Sequence, residues 1–542
     1  AQAIWAQLRR ACRKVRRRHR TRMAAGVASP LDGAEVDAVL AALQCPDNAT
    51  RAGGEARLEA WSQSPGLPRA LMERAHWASA PGSRQLAATL LARRLPRIWP
   101  CLSEPDRQQT KATLLECLSV CEELPVLRAL GEACGTLCRS PSEPAWDDPA
   151  RLAATWLTKE PAAKRRIALE LLRSLAESPL GPRLREIYPD LAGAMIAILR
   201  DSDRDVQVTA LDTLGSVGSR ALFSGGDKQT AANATLEVAV AALASISGSG
   251  GGNNSAGAAT VLAASLRALS QLVPAAATEA LAAASASLAC RVLTAAGPNP
   301  APCLEGSLVQ ALLLLRTLAR RSLSLVGGGV ALATMVPCIC RAAKDGAPSV
   351  DDLDEVSASA LAARDCLRTL ARASPASVVP AVYEFAQAAA GSADAMDRAA
   401  AVHMVSSALC GAGEAPAGWA LPLARAVADR AVWVRQAGCE GAVSLAESLN
   451  AGGAAVTEGF LELLSAVVAQ LPAEADPGLL QKMAEAAGAI FRELSTDEAA
   501  PALPVAVPRL LAALQRAAEC ARSDAGGDGP AAASAARAVP GA

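Results

Sequence analysis

The sequence predicts an all-α protein built from repeated helical pairs, and three observations carry that prediction. Leu and Ala dominate a chain that is 51% hydrophobic but only 3% aromatic, so its apolar surface is made of strong helix formers. Alternating runs of Val, Ile, Thr or Tyr are almost absent, which leaves no strand signal. Apolar residues recur instead at spacings of three and four, in segments that pair off about every 40 residues. At 542 residues the chain also exceeds what one hydrophobic core usually supports, and a repeat array needs no single core.

The leader comes first. Residues 1–22 hold nine basic side chains (Arg9, Arg10, Arg13, Lys14, Arg16, Arg17, Arg18, Arg20, Arg22) and no acid. The formal net charge of the whole chain is zero, so the remainder carries 44 basic against 53 acidic residues, a net −9. Such a leader suits an anionic surface or nucleic acid, or an organelle transit peptide. The plainest reading is a disordered extension ahead of Met23, and residues 1–30 are taken as that.

Helices follow in pairs. Their first members begin near Ala34, Pro68, Asp106, Pro149, Leu184, Ala234, Thr278, Gly329, Val378, Trp419 and Val456. The second members carry the clearer signature. Lys164-Arg165-Arg166 opens one, Asp205-Val206-Gln207-Val208 another after Asp201 and Asp203, Ala395-Met396-Asp397-Arg398 a third, and Val432-Trp433-Val434-Arg435 a fourth after Asp429. An Asp in the turn caps the coming helix. The Arg just inside that helix is placed to reach the Asp of a neighbouring turn. Such pairs, about ten or eleven in number, have the spacing of HEAT and armadillo arrays, in which stacking buries what one pair cannot.

Interruptions fall between helices. Flexible loops are expected near 224–232 and 248–257, an acidic run stands at 349–355, and residues 521–542 are expected to be disordered. Ser322 to Cys340 is uncharged, but it contains Gly327, Gly328, Gly329 and Pro337, so a loop and then a buried helix is expected rather than a membrane span.

Chemistry-bearing residues are few. Cys117 with Cys121, and Cys134 with Cys138, place two thiols on one helix face, the spacing of small buried hydrophobes more than of a zinc site. His19, His76 and His403 are the three histidines, none at a metal-ligand spacing. No nucleophile elbow, phosphate loop or dinucleotide fingerprint occurs. The chain therefore points to a binding surface, with no catalytic residue, metal or cofactor.

PDNATRAGGEARLEAW, residues 46–61, places Pro46-Asp47 in a turn before Arg51, Glu55 and Leu58. SRQLAATLLARRLPRIWPCL, residues 83–102, contains Arg84-Gln85, Ala87-Ala88, Arg93-Arg94 and Trp99, and DRQQTKATLLECL follows from Asp106. These three segments resemble the first repeats of the importin-beta (karyopherin-beta) family, most closely its importin-4 branch. From about Leu31 to Arg516 the rest is similar at the level of HEAT repeats. The resemblance implies a right-handed α-solenoid that acts as a monomeric nuclear transport receptor, moving between cytoplasm and nucleus through the nuclear envelope. Repeats within 31–220 would bind the Ran GTPase in its GTP form, through Arg84, Gln85, Arg93, Arg94 and Arg97. Repeats within 221–520 would hold basic cargo such as histones or ribosomal proteins on the concave face, with Asp351, Asp352, Asp354 and Glu355 as acidic contacts. Phe-Gly nucleoporins would be further partners; nucleic acid and membrane insertion would not be involved. Trp61 and Trp99 are expected in the core. The chain holds about half the repeats of such receptors, its acidic run is short, and its basic leader has no counterpart. A non-transport HEAT scaffold or assembly subunit is the alternative.

Overall fold

A computed structural model describes residues 31–62, 64–139, 146–176, 181, 184–218, 223–248, 253–276, 278–295, 302–321, 332–345, 357–413, 418–449 and 454–524. The basic leader, the acidic run Asp351, Asp352, Asp354 and Glu355, the glycines 327–329 and the last eighteen residues lie outside them.

Among the described residues the structure is helical throughout, without strands, in eleven successive pairs. The pairs are α1 (Gly33–Gln44) with α2 (Asn48–Ala60), α3 (Leu67–Trp77) with α4 (Pro81–Ile98), α5 (Glu104–Val120) with α6 (Leu124–Cys138), and α7 (Asp148–Lys159) with α8 (Ala162–Ala176). In the fifth pair the first member is broken at Pro189 into α9 (Leu184–Ile187) and α10 (Leu191–Ile198), followed by α11 (Arg204–Gly218). Then come α12 (Gly225–Gly248) with α13 (Asn253–Ala276), α14 (Glu279–Ala295) with α15 (Pro302–Arg321), and α16 (Leu332–Asp345) with α17 (Ala358–Ala373). The last three pairs are α18 (Pro375–Ala390) with α19 (Ala395–Ala412), α20 (Leu421–Val427) with α21 (Val432–Ser448), and α22 (Ala454–Gln470) with α23 (Pro477–Glu493). A short α24 (Thr496–Ala499) and α25 (Leu503–Asp524) follow.

Capping sets the starts. Asp47 accepts the Thr50 amide at 2.8 Å and its hydroxyl at 2.7 Å, which hold its carboxyl below the usual range. Asp476 caps α23 through the Leu479 amide at 2.8 Å. One expectation is corrected here: residues 225–232 are not a loop but the first turns of α12. Ser224 and Asp227 cap each other, the Ser224 amide reaching the carboxylate at 3.0 Å and the Asp227 amide reaching the hydroxyl at 3.2 Å. This reciprocal cap outweighs the helix-weakening Gly225-Gly226 pair. Likewise 253–257 belong to α13.

The described residues form two compact units. One runs to Thr213 and includes Phe223; the other takes Leu214–Gly218 and everything from Ser224 on. Within the first, the second helices stack in sequence, α4 on α6 and α6 on α8. Within the second, α13, α15, α17, α19, α21 and α23 pack each on the next. First helices stack beside them, as α14 does on α16 and α20 on α22. Small residues permit the close approach: Ala87 and Ala88 of α4 are fully buried. Helices α12 and α13 hold stretches long and apolar enough to cross a membrane, and they pack against each other. The uncharged stretch ending at Cys340 yields the core helix expected of it, with Met335, Val336 and Ile339 wholly buried.

Candidate partner-binding surface

A ladder of arginines comes before any partner. Each sits one turn inside a second helix and does two jobs. Arg165 donates to its own turn at the Glu160 carbonyl, 2.7 Å, and pairs with Asp201 of the next repeat at 2.8 Å. Arg398 donates to the carbonyls of Ser392 and Ala393 and forks onto both oxygens of Asp429, at 2.8 and 2.9 Å. Arg435 closes its own turn at Asp429 and Arg430 and reaches Glu474 at 2.8 Å. The hydrogen bonds from Arg398 hold the Asp429 carboxyl below the ordinary range, against the opposing effect of its partial burial. The Arg-to-acid reach between neighbouring turns is therefore as the sequence pattern implied.

Arg84 occupies the same ladder position in α4. Its Nη1 donates to the Ala78 carbonyl at 2.6 Å, and its Nη2 meets Glu123, at the start of α6, at 2.5 Å. Arg94 is engaged too, with Glu59 of α2 at 2.5 Å. Of the five α4 residues singled out from sequence, Gln85, Arg93 and Arg97 are exposed. Arg93 and Arg97 stand one turn apart, and Arg97 lies in the last turn, where the helix dipole favours a cation.

Beside this exposed row runs a cleft of about 610 Å³ between α2 and α4. Leu86, Leu90 and Arg94, at successive i+4 positions of α4, form one wall; Ala52, Glu55, Ala56 and Glu59 of α2 form the other, and Leu43 of α1 contributes to the lining. The cleft thus combines apolar walls with two carboxylates, one of them paired with Arg94, while Arg93 and Arg97 stand exposed on the same helix α4. It can hold an extended or helical protein surface that brings apolar anchors and carboxylates together.

Trp99 is 2% exposed and belongs to the core, as expected. Trp61 is only half-buried, because it lies past the last turn of α2 as its carboxy-terminal cap. What the sequence did not announce is Lys111. Its ammonium lies 5.8 Å from the Trp99 ring and 5.6 Å from the Trp146 ring, and the residue is 5% exposed. The available signal was its register: Lys111 shares the buried stripe of Leu114 and Leu118. The paired cysteines behave as small hydrophobes. Burial pushes the Cys117 thiol up to about 11 and the Cys134 thiol well above its ordinary value. Among the described residues no cluster of three or more His, Cys, Asp or Glu side chains is arranged for a metal.

Comparison with known proteins adds two findings. The importin-beta N-terminal domain family matches residues 54–120, a span that contains all of α3, α4 and α5 and each of the five α4 residues. No curated protein matches the chain. Among solved structures, Kap121p bound to RanGTP is similar at a TM-score of 0.66 and 17% identity, over 91% of this chain and 49% of that one. Kap121p bound to Nup53p is similar at 0.65 and 16%, over 90% and 48%. Kap121p bound to Pho4p is similar at 0.66 and 17%, over 89% and 47%. The chain therefore spans about half the length of these structures, and at such identities they speak for the fold. Residues 54–120 thus match the importin-beta N-terminal domain, and the described residues share the all-α repeat fold of the Kap121p structures.

Proposed function

We propose that the chain is a nuclear transport receptor of the importin-4 kind, or the amino-terminal portion of one. In this reading it binds basic cargo, such as histones or ribosomal proteins, in the cytoplasm and gives it up in the nucleus when Ran-GTP occupies the amino-terminal repeats. Phe-Gly nucleoporins are its partners in transit. The observation that carries the reading is a coincidence of place. The segment matched by the importin-beta N-terminal domain is also where α4 leaves Arg93 and Arg97 uncommitted beside an apolar cleft. Guanidinium groups free of internal partners suit an acidic face on the GTPase. Arg84 and Arg94 then act as positioning residues, which fix α4 against α6 and α2. The acidic residues Asp351, Asp352, Asp354 and Glu355 are proposed as contacts for basic cargo.

The test is binding to Ran locked with a non-hydrolysable GTP analogue, compared with Ran-GDP. The GTP form should bind preferentially. Arg93→Glu with Arg97→Glu should weaken it at least roughly ten-fold, without loss of helicity and with a steeper loss at low than at high salt. Absence of binding by the folded wild-type chain would favour a non-transport HEAT scaffold. Unchanged affinity in the double variant would move the contact elsewhere.

A further inference from the structure

Most cysteines of the second unit are kept inert by burial. Cys340 and Cys439 are both pushed up to about 12, and Cys366 higher still. Cys338 on α16 differs. It is half-buried, and the Thr294 hydroxyl oxygen lies 3.5 Å from its sulfur. Thr294 and Cys290 stand one turn apart on α14, where the Thr294 hydroxyl also donates to the Cys290 carbonyl at 2.8 Å. Cys290 and Thr294 thus share the face of α14 that meets Cys338, and α14 packs on α16. Arg341, one turn beyond Cys338, adds positive charge. The hydrogen bond from Cys290 is the main reason the Cys338 thiol falls to about 6, while that of Cys290 is raised. Cys290 is 5% exposed, so the pair has one accessible sulfur and one sheltered sulfur.

We propose that Cys338 and Cys290 form a redox modification site, in which hydrogen peroxide oxidises Cys338 and Cys290 then closes a disulfide between α14 and α16. In the first step the Cys338 sulfur attacks one peroxide oxygen. A sulfur–oxygen bond forms as the oxygen–oxygen bond breaks, and hydroxide leaves to become water on taking up a proton. The product is a sulfenic acid beside Cys290. In the second step the Cys290 sulfur attacks the Cys338 sulfur. The sulfur–sulfur bond forms, the sulfur–hydroxyl bond breaks, and the Cys290 proton leaves with that hydroxide as a second water. Two thiols lose two electrons to one peroxide, and a small dithiol reverses the change. The bond would tie together the first helices of the seventh and eighth pairs, removing their freedom to slide within this unit.

The experiment treats the full chain with hydrogen peroxide, with and without dimedone, and maps the peptides by mass. Wild type should give a Cys290–Cys338 cross-linked peptide that dithiothreitol removes. Cys290→Ser should give dimedone-labelled Cys338, and Cys338→Ser should leave Cys290 unmodified. The exposed Cys101 is an internal reference, and Cys338 should be consumed at least roughly five-fold faster. The proposal is overturned if Cys338 reacts no faster than Cys101, or if wild type accumulates sulfenic acid without the cross-link. Should either serine variant fail to fold by circular dichroism, the wild-type peptide map alone decides.

Discussion

Lys111 sets the terms at the scale of the residue. A lysine at 5% exposure has its ammonium against two rings, Trp99 at 5.8 Å and Trp146 at 5.6 Å, while its register places it on the buried stripe of α5. Cation–π contacts reach about 2 kcal/mol when desolvated, and the stem adds packing of its own. Lys111→Ala should therefore cost about 2–4 kcal/mol in urea unfolding of the first unit. Lys111→Met, which keeps the stem and removes the charge, should cost about half of that. A Met variant as stable as wild type would mean that the rings do not hold the ammonium. No single-sequence signal separates this lysine from a solvated one except its register, because cation–π partners converge only in three dimensions. Arg398 and Arg165 were legible for the opposite reason. Their acids sit in the neighbouring turn, so repetition along the chain discloses the pairing. Arg84 follows the same rule, since Glu123 stands in the turn before α6. Arg94 does not: Glu59 lies on α2, outside that pattern, and takes up its guanidinium group.

At the scale of the element, the helix starts were legible to within three residues for every first helix but one. The exception, α12, begins nine residues before Ala234 because the cap between Ser224 and Asp227 tolerates two glycines. Caps are readable when an oxygen side chain precedes apolar periodicity, and hidden when glycines follow it. How closely helices approach was not readable at all. Gly411 of α19 and Gly488 of α23 look alike in sequence, each within an Ala-rich helix. A Cβ at Gly411 would lie 2.1 Å from the Arg368 carbonyl oxygen of α17, whereas a Cβ at Gly488 meets nothing within 4 Å. Gly→Ala in an exposed helix interior gains roughly 0.5–1 kcal/mol. Forcing backbone apart costs about 1–3 kcal/mol or more. Gly488→Ala should therefore raise the midpoint of thermal unfolding and Gly411→Ala should lower it. Shifts of the same sign would contradict the close crossing of α17 and α19.

On the scale of the whole molecule, the ladder fixes how stability is distributed. Its ion pairs join residues one repeat apart, such as Arg165 with Asp201 and Arg435 with Glu474, and helices stack on sequence neighbours. Stability is then nearly a sum over repeats and their interfaces, so a chain of this length has no reason to melt in one step. The two compact units sharpen the expectation, since Lys111 belongs to one and Gly411 to the other. Scanning calorimetry should give a measured enthalpy well above the van't Hoff value obtained from the same curve. Lys111→Met should displace one part of the melt, and Gly411→Ala a different part. Combining the two substitutions should add their effects, because the sites belong to different compact units. A single transition with equal enthalpies, moved bodily by either substitution, would show instead that the repeats unfold as one cooperative block. The stack would then have to carry each local loss along its full length, which repeats stabilised chiefly by their nearest neighbours do not do.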